Sequence, residues 1–131
     1  MKGKSASILK YALMCDDIRE EKSEKSTLVG VYSEKMFLNI FPAVLPKICF
    51  RICFDSSGTI PDKINLSVKT PGKVSVGPIP ATIIKEKAGK SEFVLNLALS
   101  PFLVETPGEY RLIVGYDETE EVAYRFIAEK P

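Results

Sequence analysis

The run Cys15-Asp16-Asp17, with Arg19 and Glu20 close behind, holds the densest reactive chemistry in the chain. Carboxylate oxygens ligate calcium and magnesium. Asp16, Asp17 and Glu20 therefore outline one side of a cation site, with Asp117, Glu118 and Glu120 as a possible second supply of oxygens. The spacing matches no EF-hand loop. The competing reading is structural. Asp17 closes a strand, accepts backbone N–H groups and pairs with Arg19, while Asp16 faces water. We take the structural reading as the expectation, with no metal and no cofactor.

Cys15, Cys49 and Cys53 are the only thiols. A nucleophilic cysteine needs a neighbouring imidazole or a helix N-terminus to lower its pKa. The chain has no histidine, and the carboxylates beside Cys15 push its pKa the other way. Cys49 and Cys53 are four residues apart, about 13 Å along a strand, too far for a mutual disulfide. Two thiols with no third ligand in the sequence make a weak metal signal. All three read as small apolar residues, and an odd count agrees with a reducing compartment.

Composition narrows the classes further. The 131 residues suit one domain over 1–131, and 45% apolar residues can fill a core without disulfides. Eighteen basic side chains against 17 acidic ones leave a net charge of +1, with no footprint for nucleic acid. The absence of histidine removes the commonest general base and metal ligand. The apolar run Ile8 to Met14 is short and interrupted by Lys10, so neither an export signal nor a membrane span is expected. A cytoplasmic location follows as the expectation.

The elements that must position these groups are strands, because period-two patterning dominates. Leu9, Tyr11, Leu13, Cys15 and Asp17 are in phase, which predicts a first strand with that row toward the core. Ser26 to Tyr32 and Lys35 to Ile40 follow as short strands. Phe41-Pro42-Ala43-Val44-Leu45-Pro46 is an apolar connection whose prolines bar it from a central strand. Ile48, Phe50, Ile52 and Phe54 alternate with polar or small residues, as do Ile64, Leu66 and Val68. Gly77 to Pro80 reads as a kinked crossing between sheets, and Thr82 to Glu86 as a weak strand. Phe93, Leu95, Leu97 and Leu99 alternate in turn. Ser100 to Glu105 reads as a short helical turn capped by Ser100, with Pro101 first. Two strands close the chain, through Tyr110 to Tyr116 and Val122 to Ala128. Gly30 and Gly115 fall inside strands, where glycine marks a bulge or a close approach.

The fold expected is an all-β, antiparallel, immunoglobulin-like sandwich of about seven to nine strands, with at most that turn near 100–105. Pro107-Gly108-Glu109-Tyr110 matches a tyrosine corner, in which the Tyr110 hydroxyl bonds upstream backbone. The chain resembles a family of small bacterial β-sandwich proteins classed as a domain of unknown function. The resemblance is carried by Tyr11-Ala-Leu-Met-Cys-Asp-Asp-Ile-Arg19, Leu28-Val-Gly-Val-Tyr32, Phe41-Pro-Ala-Val-Leu-Pro46 and Pro107-Gly-Glu-Tyr110. It implies a small β domain of bacterial or bacteriophage origin and no particular activity.

The function expected is a non-enzymatic protein-interaction or structural module. Its partner is another protein or a second copy, joined through an edge strand or a loop. The residues singled out are Asp17, Arg19 and Tyr110, with Phe41, Pro42 and Leu45 as core or, if exposed, as a patch for a partner. The alternative is a carboxylate-dependent metal-binding protein or enzyme centred on Asp16 and Asp17.

Overall fold

Residues 7–82 and 91–131 are described by the structure, a computed structural model. They form β1 (Leu9–Glu20), β2 (Ser26–Val31), β3 (Lys35–Phe37), β4 (Ala43–Leu45), β5 (Ile48–Asp55), β6 (Lys63–Lys69), β7 (Val76–Thr82), β8 (Glu92–Leu99), β9 (Phe102–Val104), β10 (Gly108–Tyr116) and β11 (Thr119–Glu129). One sheet has the order β2-β1-β5-β8, and the second β3-β11-β10-β6-β7. A separate ribbon pairs β4 with β9. Pairing is antiparallel except for β3, which lies parallel to β11.

Both sheets feed one apolar cluster, as in a sandwich. Ile48, Phe50, Ile52 and Phe54 enter it from the first sheet, and Leu66, Leu112 and Phe126 from the second. Leu95 packs against its margin. The Tyr110 ring is fully buried and stacks on Phe126, with centroids 5.1 Å apart. Its hydroxyl donates to the Thr106 carbonyl at 2.7 Å, the bond expected of a tyrosine corner. A buried phenol needs such a partner, because an unpaired hydroxyl costs free energy inside a core.

Three local readings are corrected, and one more falls largely outside the described residues. Phe102, Leu103 and Val104 do not form a helical turn. They alternate buried, exposed, buried and pair with β4 as β9. The two inward side chains drive the extended form, since a single helical turn could not send both into the core. Gly77 to Pro80 is no crossing. It lies in β7, an edge strand against β6, where a proline without an N–H is tolerated. The strand expected over Thr82 to Glu86 lies, from residue 83, outside the described residues.

The third correction matters most for the site. The register of β1 on β5 slips between Leu9 and Tyr11. A one-residue slip sends every later side chain to the opposite face. Ala12 and Met14 therefore pack on the core, while Tyr11, Leu13 and Cys15 stand on the outward face of the sheet. The expected row is real beyond the slip, but it points the other way.

Candidate functional site

Strand β5 lies between β1 and β8, and its burial is nearly continuous. Its inward side chains are aromatic and aliphatic; its outward ones are Cys49, Arg51 and Cys53. Cys15 lies directly opposite Cys49 across the β1–β5 ladder, and Tyr11 opposite Cys53. All three cysteines are free thiols and buried, yet none belongs to the inter-sheet core. The Cys15 thiol donates to the Asp17 carbonyl at 3.4 Å, and the Cys53 thiol to Glu92 Oε2 at 3.4 Å. Burial pushes all three thiols above their ordinary pKa, with Cys49 adding to the rise at Cys15 and Glu92 to that at Cys53. These groups stay protonated and weakly nucleophilic at neutral pH.

Beyond Cys15 the two acids divide. Asp17 Oδ1 takes Lys47 Nζ at 2.6 Å, and its Oδ2 lies 3.5 Å from Arg19 Nε. The Lys47 contact, aided by Ile18 and Arg19, holds the Asp17 carboxyl below its ordinary pKa. The Arg19 pairing expected from the sequence is therefore present, but the shorter partner is Lys47, from the junction of β4 and β5. Asp17 is also about a third exposed rather than sheltered. Solvent and salt screen such a pair, so its contribution is smaller than a buried strand-end acceptor would give.

Asp16 is exposed and accepts the Tyr32 hydroxyl at 2.9 Å. Burial first, and then Asp16, push the Tyr32 hydroxyl up to about 12. Gly30 faces Asp16 across the hairpin and adopts a left-handed φ of 67°. A side chain there would meet Asp16 Oδ2 at 2.2 Å. Close approach thus explains this glycine; Gly115 meets only ordinary contacts.

The acids do not converge. Glu20 takes Asn96 Nδ2 at 2.9 Å. Asp117 and Glu118 form the β10–β11 turn, both at positive φ. That turn sits by the start of β1, where Ile8 N–H donates to the Tyr116 hydroxyl at 3.2 Å. Nine residues of extended chain, about 30 Å, separate Ile8 from Asp17. Among the described residues no three histidine, cysteine or acidic side chains are grouped to hold a metal. A cation at Asp17 would have to displace a lysine and an arginine.

The apolar connection resolves residue by residue. Phe41 and Leu45 pack on the core, and Phe102 and Val104 are buried within it. Pro42 faces outward, beside Ile40 and Val44, which are 71% and 64% exposed. Val44 is the cross-strand partner of Leu103, itself 40% exposed. Of the three candidates, only Pro42 lies on the surface. Period-two reading through residues 40–45 would have separated the outward row from the inward one; the prolines concealed the ribbon. Beside it lies a groove of about 380 Å³, walled by Phe102, Leu103, Pro101, Val74, Thr70 and Glu105. Glu105 Oε1 is already taken by the Lys73 N–H at 2.9 Å.

No helix among the described residues is long and apolar enough to cross a membrane. The family of unknown function DUF6941 matches residues 10–129, so the chain belongs to that family. Among curated proteins none matches the chain.

Proposed function

We propose that the chain is a non-enzymatic protein-interaction or structural module whose contact surface is the outward face of the β4–β9 ribbon. One observation carries the reading. The large exposed side chains of the ribbon, Val44 and Leu103, are cross-strand neighbours, with Ile40, Pro42 and Val74 also exposed and no charge in the ribbon strands. Grouped apolar exposure of this kind marks a surface that a partner covers. The groups that could do chemistry are occupied instead. Asp17 is held by Lys47 and Arg19, Asp16 by Tyr32, and the thiols are buried with raised pKa values. Three buried free thiols support a reducing, cytoplasmic setting.

The test is capture of partners from extracts of the source cells by tagged wild type, by Val44→Glu with Leu103→Glu, and by Asp17→Asn. The ribbon variant is expected to lose the captured protein and Asp17→Asn to retain it. Equal capture by all three refutes the ribbon surface. A melting temperature raised by calcium or magnesium in wild type, but not in Asp17→Asn, would favour the carboxylate-centred alternative.

A further inference from the structure

Cys15 and Cys49 are direct partners on the β1–β5 ladder, and neither belongs to the inter-sheet core. Tyr32 N–H donates to the Met14 carbonyl, so Met14 turns its backbone toward β2 and Cys15 turns its own toward β5. Residues opposed in this way exchange backbone hydrogen bonds at a Cα separation of about 5.5 Å, with both side chains on one face. Disulfides span Cα separations of about 4.4–6.8 Å. The two thiols are free, yet their backbones already stand at disulfide spacing.

The pair is covered even though it lies on the outward face of the sheet. β1 pairs with β5 only as far as Cys15, then runs on to Glu20 with β2 beside it. Asn96 of β8 is level with Arg51 of β5 and Leu13 of β1. In a straight strand Glu20 would stand about 23 Å beyond Leu13. Its carboxylate nevertheless takes Asn96 Nδ2 at 2.9 Å. The end of the β1–β2 hairpin therefore folds back across the outward face as a strap. Its fastenings are Glu20 on Asn96 and Asp17 on Lys47. Beneath it Cys15 and Cys49 are 0% and 2% exposed.

We infer that Cys15 and Cys49 are an oxidation site, closing to a reversible disulfide under peroxide when the strap lifts. Burial raises both thiols, but only Cys49 has Lys47 opposing the rise, with the Ile18 backbone acting in the same sense. Cys49 is accordingly the thiol that attacks peroxide. Its sulfur takes one oxygen, the O–O bond breaks, water leaves, and Cys49 becomes a sulfenic acid. The Cys15 sulfur then attacks the sulfenic sulfur, and the displaced hydroxyl leaves with the Cys15 proton as a second water. Each peroxide gains two electrons and the two thiols lose two. Closing the bond draws the Cβ atoms together by about 1 Å, and strained disulfides are the readily reduced ones. Cys53 is a bystander, opposite Tyr11 and about 13 Å along β5 from Cys49. The site is independent of the ribbon surface.

The test treats the reduced full chain with hydrogen peroxide, alkylates it in denaturant, and maps tryptic peptides by mass without reductant. Cleavage after Lys10, Arg19, Lys47, Arg51 and Lys63 puts the three cysteines on separate peptides. A linked Cys15–Cys49 pair is expected, with Cys53 alkylated throughout and both thiols restored by dithiothreitol. Asn96 is exposed, so Asn96→Ala unfastens the strap without touching the core. It should speed formation of the bond about two- to tenfold, the range that one hydrogen bond supports. Cys15→Ala should leave a Cys49 sulfenic acid that dimedone captures. Wild type that forms no linked pair, or that oxidises Cys53 as fast as the other two, overturns the proposal. An unchanged rate in Asn96→Ala overturns the strap as its gate.

Discussion

Replacing Gly30 with alanine places a methyl group where Asp16 now sits. The added carbon would lie 2.2 Å from Oδ2 and 2.9 Å from Cγ of Asp16. Two costs follow, and they can be measured apart. The first is backbone: at φ 67° a side chain crowds the following carbonyl, which costs about 1–2 kcal/mol. The second is the collision. Asp16 is exposed and its carboxylate is the free end of a side chain, so it swings away rather than forcing the strand to move. Swinging away takes Oδ1 from the Tyr32 hydroxyl, now 2.9 Å distant. A bond of that kind contributes about 0.5–1.5 kcal/mol, here toward the lower end because the acceptor is wet. Gly30→Ala should therefore destabilise by about 2–3 kcal/mol.

The assay is urea unfolding of wild type, Gly30→Ala, Asp16→Ala and the double variant, with unchanged m values as the check on the folded state. In the Asp16→Ala background the collision with the carboxylate is gone, and the backbone cost remains with a tight 3.3 Å contact to the retained Cβ. The cycle should give a coupling of about 0.5–1.5 kcal/mol. Equal cost of Gly30→Ala in both backgrounds would refute the argument. The Tyr32 titration supplies a second sign. Its raised pKa contributes stability that is complete below pH 10 and is lost as pH rises through about 12. Asp16→Ala should shrink that alkaline loss without abolishing it, because burial is the larger cause.

Tyr110→Phe leaves the ring stacked on Phe126 but strips the Thr106 carbonyl of its donor, and thermal or urea unfolding should show a loss of about 1–3 kcal/mol. Thiol titration should find three reactive groups in denatured, unreduced protein and slow, incomplete reaction in native protein, because all three are buried and unpaired. Asp17→Asn should flatten the acid limb of the stability curve. The lowered carboxyl contributes stability above its ordinary 3.8 that is lost as pH falls below it, and molar salt should erase the difference from wild type at neutral pH.

Alternation over six residues or more agrees with the structure in several strands but not in β1. β5, β6 and β10 keep the phase read from their residues, and Tyr110 bonds upstream backbone as its motif implies. The misses have two physical sources. A bulge between Leu9 and Tyr11 leaves no mark in composition, yet reverses the face of everything after it, so Cys15 is buried outside the core that its phase suggested. Strands of three residues are too short for a period to register. β9 was hidden by Ser100-Pro101, which is good helix-start chemistry, and its extended form comes from pairing with β4. The candidate site was half legible. The Asp17–Arg19 pairing follows from proximity in sequence, whereas Lys47 is brought in by the fold, 30 residues away along the chain.

The distribution of charge sets how any partner is bound. Lys10 pairs with Glu92, Lys35 with Glu129, Lys47 with Asp17 and Arg125 with Glu109, all between side chains at least a third exposed or nearly so. With these pairs closed and a net charge of +1, the chain has little field with which to steer a charged ligand. The surface left over is the uncharged ribbon face, which offers apolar area. Burial of apolar area is not screened by salt. Association should therefore hold its strength, or tighten slightly, between low and molar salt, while the Asp17–Lys47 contribution to folding falls over the same range. The measurement is the dissociation constant of a captured partner at both ionic strengths. A tenfold or greater weakening in high salt would show that charge carries the binding, and would move the contact surface from the ribbon to the ion pairs around Asp17.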